Sequence, residues 1–98
     1  MYTVKETQEY QEWFCKLDLK SRAQVQARIA RIICHAHFGD AKQIDKGLAE
    51  LRWRNGRRIY FSVTFHECKK IIVLLLGGDK KSQARDIRKS KTMIHECI

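Results

Sequence analysis

The stretch LAELRWRNGRRIYFSVTF, Leu48 to Phe65, decides how this 98-residue chain is read. Side chains of a strand alternate between its two faces, so Glu50, Arg52 and Arg54 share one side while Leu51 and Trp53 take the other. The second half splits in the same way. Arg58, Tyr60, Ser62 and Thr64 go to one face, and Ile59, Phe61, Val63 and Phe65 to the opposite one. Between the halves, Asn55-Gly56 predicts a two-residue type I′ hairpin turn, because that turn needs positive φ at both central positions and Asn-Gly reaches it at low cost. The expected hairpin has an apolar face for a core and a cationic face. Arginines on adjacent strands repel one another, so the cationic face is expected to meet a polyanion, with a phosphate backbone the natural choice.

Downstream, His66-Glu67-Cys68 reads as the next turn, and Ile71 to Leu76 is a continuous apolar run suited to a central strand covered on both faces. Gly77-Gly78 ends that run. Asp79 or Ser82 can cap a last helix from about Ser82 to Ile94, docked by Ile87 and by Met93 or Ile94. Upstream, FGDAKQIDKG (Phe38 to Gly47) has two glycines, two aspartates and no period, which predicts a loop leading into the sheet. Before it, Val25, Ile29, Ile32, Ile33 and Ala36 form the stripe of a helix that Asp18 or Ser21 caps and that ends before Gly39. Thr7 is placed to cap a first helix from about Gln8 to Leu17, with Tyr10, Phe14 and Leu17 at helical spacing, and Tyr2 to Lys5 alternates as a short strand.

The expected class is α+β, with two N-terminal helices packed on a mainly antiparallel four-stranded sheet and a C-terminal helix. The helices are expected on one face and the arginine face at least partly open. Residues 1–98 read as one small domain, so any site lies on the surface or in a shallow groove. Twenty Lys+Arg against eleven Asp+Glu give a formal charge of +9, which points to nucleic acid or an acidic protein as partner. No stretch approaches the roughly 18 apolar residues of a membrane span, and the N-terminus lacks the basic and apolar segments of a secretion signal, so a cytoplasmic protein is expected.

Cys15, Cys34, Cys68 and Cys97 are widely spaced with no CxxC, which predicts free thiols acting as small core fillers. His66-Glu67-Cys68 recurs as His95-Glu96-Cys97, and Cys34-His35-Ala36-His37 adds further ligand types. Their spacings fit no zinc ribbon or finger, and side chains at i and i+2 of a helix diverge, so neither metal nor cofactor is expected. A GxSxG elbow and a Walker loop are absent.

ELRWRNGRRIYF, then the apolar strand, then LLGGDKKSQARDI, resemble the RelE/ParE superfamily of bacterial toxins, in particular the HigB-like branch described as phage-derived or addiction-module killer proteins. The resemblance runs over nearly the whole chain. It implies a toxin paired with an antitoxin, usually a helix-turn-helix protein, that cleaves messenger RNA in the ribosomal A site without metal. It places Arg52 and Arg54 among the basic site residues, matches Arg58 to the arginine of the third strand, and matches Lys80 or Lys81 to the basic residue after the fourth. RelE carries a tyrosine in its C-terminal segment and this chain has none there, so Asp86, Gln83 or His95 would stand in, or Tyr60 from the sheet.

Such cleavage has the ribose 2′-OH attack its neighbouring phosphate, and the enzyme must offset charge on the phosphorane. Arginine forks pair with phosphate oxygens and stay charged. A lysine beside arginines, whose charge theirs disfavours, suits proton transfer. Arg52, Arg58, Tyr60, Lys80 and Lys81 are therefore the catalytic candidates, and Arg54, Arg57, Gln83, Arg85 and Asp86 the nucleic-acid contacts. Tyr60 or Trp53 could stack a base. Competing readings make Trp53 a core residue, Lys80 and Lys81 loop decoration, Asp79 only a cap, and Gln83 and Asp86 partners of neighbouring cations or mere solvated helix positions. The alternative functions are ParE-like inhibition of DNA gyrase and a non-catalytic basic module that binds nucleic acid or its antitoxin.

Overall fold

The computed structural model describes residues 2–96. Along the chain run β1 (Tyr2–Glu6), α1 (Gln8–Cys15), α2 (Leu19–His35), β2 (Ala41–Asp45), β3 (Leu48–Arg52), β4 (Arg58–His66), β5 (Lys69–Gly78), a 3₁₀ turn (Lys80–Ser82) and α3 (Gln83–Glu96). The strands form one sheet in the order β1-β5-β4-β3-β2, antiparallel except where β1 lies parallel to β5. It is an α+β fold.

Both N-terminal caps form where expected. Thr7 Oγ1 accepts the Tyr10 N–H at 3.1 Å and donates to Leu75 O at 2.6 Å, which fastens α1 to β5. Asp18 Oδ1 accepts the Ser21 N–H at 2.7 Å, and the Ser21 hydrogen bonds hold this carboxyl below the usual carboxylate range. Helix α1 ends at Cys15 rather than Leu17, and α2 closes on Ala36 in the left-handed region at φ 53°.

The sheet has five strands, not four. FGDAKQIDKG contains β2, which forms a hairpin with β3 around Lys46-Gly47, Gly47 adopting φ +77°. Only Ile44 of this edge strand packs inward, so there is no hydrophobic alternation to read, and its pairing with β3 alone makes it a strand.

The Asn55-Gly56 turn is not type I′. Trp53 N–H donates to Arg57 O at 3.0 Å and Gly56 N–H to Trp53 O at 3.1 Å, with positive φ only at Gly56 (+99°), so the loop is longer and uses glycine as its bulge. The two-residue primed geometry occurs in the next hairpin instead. There His66 pairs directly with Lys69, and Glu67 and Cys68 take φ 49° and 65°.

β5 is covered on both faces, as its apolar run predicts. Ile72 and Leu74 join Tyr10, Val25, Ile32, Leu51, Ile59 and Phe61 beneath α1 and α2. Leu75 and Leu76 join Leu48, Tyr60 and Met93 beneath α3, and an irregularity opposite Tyr60/Phe61 leaves Leu75 as the extra residue of β5. Helices thus cover both faces of the sheet, and the expectation of an open arginine face fails because Ile87, Met93 and Ile94 dock α3 onto it. Cys15, Cys34 and Cys68 are exposed free thiols rather than core fillers, and Cys97 lies outside the described residues. No described helix is long and apolar enough to cross a membrane.

Candidate functional site

The strand arginines end in different surroundings. Arg58 is buried beneath α3, where its Nη1 donates to Trp53 O at 3.2 Å and Arg57 O at 3.0 Å, and its Nε lies 3.8 Å from Glu50 Oε2. Glu50 is itself 1 % exposed and accepts from the Gln83 amide at 2.9 Å on both carboxylate oxygens. Glu50 is thus hydrogen-bonded to α3 through Gln83 and ion-paired with Arg58 across β3 and β4, though Arg58 Nε has no hydrogen-bond partner among the described residues. Arg57 lies against α2, its guanidinium 5.5 Å from the Trp53 ring centroid and its Nη1 donating to Gln24 Oε1 at 3.3 Å. Arg52 is half-buried, and its Nε has no hydrogen-bond partner among the described residues. Arg54 alone of the four is exposed.

The expectation that Arg52, Arg54, Arg58 and Tyr60 share one solvent-facing patch is therefore not met. Tyr60 does lie on the arginine side of β4, but it is fully buried and its hydroxyl finds no partner among the described residues. Burial first, and the Glu50 and Asp86 carboxylates next, push its ionisation well above the ordinary tyrosine range, and the covered ring cannot stack a base. Trp53 packs against the core under α1 and α2, with the Arg28 guanidinium 4.3 Å from its ring centroid. Arg28 also donates to the carbonyls of Phe38, Asp40 and Arg52, so α2 holds the base of the hairpin loop.

What remains open is a shallow cleft between that loop and the turn after β5, lined by Arg54, Asn55, Gly56, Asp79, Lys80 and Lys81. The two walls touch at Gly56, where a Cβ would sit 3.6 Å from Lys80 Cβ. The second wall is built by a chain of contacts. Asp79 Oδ1 accepts the N–H groups of Lys81 (2.8 Å) and Ser82 (3.1 Å), while Ser82 Oγ accepts from Asp79 N–H at 3.3 Å, a reciprocal capping box. Ser82 Oγ also donates to Asp86 Oδ2 at 2.5 Å. Asp86 is buried against the end of β5, so close that a Cβ on Gly78 would stand 2.1 Å from Oδ2. The Gly78–Asp86–Ser82–Asp79 chain thereby sets the backbone carrying Lys80 and Lys81.

Among the described residues neither Arg54 nor Lys80 nor Lys81 has a carboxylate oxygen within 4.0 Å, so the cleft presents unneutralised cations. The Asp79 carboxylate occupies the free N–H groups of the turn. An anion here would therefore be held by side chains. Gln83 and Asp86, expected as nucleic-acid contacts, are engaged inside the fold, and Arg85 is exposed with its Nε 3.8 Å from Asp86 Oδ1. His95 lies in the last turn of α3, at the opposite end of the helix from Gln83. Among the described residues no group of three His, Cys, Asp or Glu side chains is arranged to hold a metal ion. Sequence reasoning missed Glu50 as the partner of Arg58, although its place on the arginine face was the available signal. It also missed Ser82 as the link to Asp86.

No protein-family model matches the chain. An uncharacterized protein of Haemophilus influenzae is 34 % identical over 96 residues, covering 95 % of this chain and 93 % of that one. Among solved structures, the isolated E. coli RelE toxin aligns with a TM-score of 0.65 at 11 % identity, over 91 % of this chain and 98 % of that one. The intact E. coli RelBE toxin-antitoxin complex gives 0.64 at 12 % identity (81 % and 96 %), and the YoeB/ParE toxin from Agrobacterium tumefaciens 0.62 at 10 % (79 % and 97 %). The chain belongs to one family with the Haemophilus influenzae protein, and its fold is that of the RelE/ParE toxins.

Proposed function

We propose that the protein is the toxin of a type II toxin-antitoxin pair, of the HigB-like branch, acting in the cytoplasm as a metal-free, ribosome-dependent endoribonuclease on messenger RNA. Its second partner is the cognate antitoxin. The observation that carries this reading is the cleft lined by Arg54, Lys80 and Lys81, none of which has a carboxylate oxygen within 4.0 Å among the described residues, the Asp79 carboxylate there being held by backbone N–H groups, on a fold shared with RelE. Arg54 grips the scissile phosphate and offsets the charge that builds on the phosphorane as the 2′-oxygen attacks. The 2′-hydroxyl gives its proton to solvent water as the O2′–P bond forms, and Lys80 or Lys81 gives a proton to the departing 5′-oxygen as the P–O5′ bond breaks. Arg58 acts as a positioning residue, because its bonds to the carbonyls of Trp53 and Arg57 hold the loop that presents Arg54.

The test is cleavage of a defined message by purified protein with 70S ribosomes, mapped by primer extension. Wild type is expected to cut in the A site, and Arg54→Ala with Lys80→Ala and Lys81→Ala to lose at least about a hundredfold in rate. Uncut message with wild type, or full cutting by the triple variant, overturns the assignment. Inhibition of supercoiling in a gyrase assay with uncut message would move the protein to the ParE-like alternative.

A further inference from the structure

The outer surface of α3 carries a second set of cations that the cleft does not use. Asp86, Ser90 and Met93 face the sheet and are buried, whereas Arg85, Arg88 and Lys89 are exposed. They fall four, seven and eight residues after exposed Lys81, so they continue along one side of the helix from the cleft, about 1.5 Å of rise per residue. Lys91 differs from them in being matched, 3.4 Å from Asp45 Oδ2. Among the described residues Arg88 and Lys89 have no carboxylate within 4.0 Å, and the one near Arg85 is Asp86, already bound by Ser82.

The fold gains nothing from this arrangement. Like charges at i, i+3 and i, i+4 weaken a helix, and Arg85 stands in the first turn, where the helix dipole disfavours a cation. The acids nearest α3 are already engaged, Asp86 by Ser82, Glu50 by Gln83, Asp45 by Lys91 and Asp79 as the cap of the turn, and Glu96 lies at the far end of the helix. Helix α3, QARDIRKSKTMIHE, contains no Phe, Tyr or Trp, and its one ring, His95, lies in the last turn about two turns beyond Arg88, so no ring stands among the cations for an unpaired base to stack on. Point charges and guanidinium forks without rings suit a regular backbone whose bases are already paired.

We infer that the outer face of α3, through Arg88 and Lys89 continuing from Lys81 and Arg85, binds the phosphate backbone of duplex RNA without reading sequence. The inference extends the nucleic-acid reading of the cleft, but binding rather than cleavage tests it. The probe is a labelled blunt RNA duplex of about 16 base pairs, its affinity measured by fluorescence anisotropy between about 50 and 200 mM salt. Arg88→Ser with Lys89→Ser is expected to weaken binding about tenfold or more at the lower salt and to reduce the log–log salt slope by about two, close to one per lost cation. Arg88→Lys with Lys89→Arg should retain affinity and slope, since charge alone is required.

Unchanged duplex binding in the serine variant overturns the inference. Equal loss in the charge-preserving variant does so too, by exposing a structural cause. Tighter binding of a DNA duplex of the same length overturns the choice of RNA, and displacement of bound duplex by polyglutamate at equal charge would make the surface one for acidic protein. Failure of the nuclease reading is separable: duplex binding that depends on Arg88 and Lys89 with uncut message would overturn the nuclease and leave this surface standing.

Discussion

The two faces of the sheet are built from alternate residues of the same strands, yet they are held by different forces. Toward α1 and α2, β3 and β4 contribute Ala49, Leu51, Ile59, Phe61 and Val63, an apolar set whose stability comes from burial at about 25 cal/mol per Å². Toward α3 the same strands contribute Leu48, Glu50, Arg58 and Tyr60, and a guanidinium, a carboxylate and a phenol lie under the helix. The first face tolerates conservative exchange. On the second, each charged group is sustained by its partner, so deleting one leaves the other desolvated and alone.

That contrast is most severely tested at Glu50. Glu50→Ala strands buried Arg58 and is expected to cost about 3–5 kcal/mol in urea unfolding, whereas Glu50→Leu with Arg58→Met should recover most of the loss. A cost for Glu50→Ala below about 1 kcal/mol would show that water reaches the pair and that the faces do not differ as described.

Adjacent glycines carry the contrast into the backbone. A Cβ on Gly77 would sit 2.0–2.3 Å from ring atoms of Trp13 on the α1 side, and one on Gly78 would sit 2.1 Å from Asp86 on the α3 side. Gly77→Ala should lose about 1–3 kcal/mol by overpacking. Gly78→Ala displaces Asp86 and, through Ser82, the Lys80-Lys81 turn, so its larger effect is expected in RNA cleavage. Comparing melting temperature with cleavage rate for the two variants separates core from site, and equal profiles would merge them.

Arg54→Ala sharpens the difference between paired and unpaired cations. Exposed Arg54 should leave stability within about 0.5 kcal/mol of wild type while cleavage falls, whereas loss of buried Arg58 should lower both. A stability loss above about 1 kcal/mol would mean that Arg54 is part of the fold after all.

The smallest effect is expected at Tyr60. Its buried hydroxyl is unpartnered, so Tyr60→Phe should be neutral or stabilising by about 1 kcal/mol or less at neutral pH. Because the folded-state pKa is raised, its contribution is intact below the unfolded value of about 10 and declines as pH rises past it, where only the unfolded chain ionises. Urea midpoints at alkaline pH should fall less steeply for Tyr60→Phe, the remaining slope coming from Tyr10, which burial also raises. Cleavage that survives Tyr60→Phe would agree with a covered ring, and its loss would restore Tyr60 to the chemistry.

Much of the architecture was legible because local causes and tertiary outcome agree. Thr7, Asp18 and Asp79 cap where their side chains can reach free N–H groups, and Ile71 to Leu76 lies on an interior strand between β1 and β4. β2 escaped because Ala41–Asp45 is an edge strand with a single inward residue, and hydrogen bonding to β3 leaves no mark on periodicity. The Asn55-Gly56 turn differs from the expected type because Asn-Gly admits both a primed turn and a glycine bulge, and the surrounding strands choose between them. At the site, Arg54, Lys80 and Lys81 were legible as basic residues, but their meeting across a cleft depends on Gly56, Gly78 and the Asp86–Ser82 link.

By itself the sequence determined which side chains share a strand face, where the helices start, and that cations greatly outnumber acids, since pleat period, capping and charge are properties of neighbouring residues. Only the tertiary structure decided which of those cations meet solvent. Alternation assigns Arg52, Arg54, Arg58 and Tyr60 to one side, but a face is open or closed according to what docks on it, and α3 closes this one over Arg58 and Tyr60.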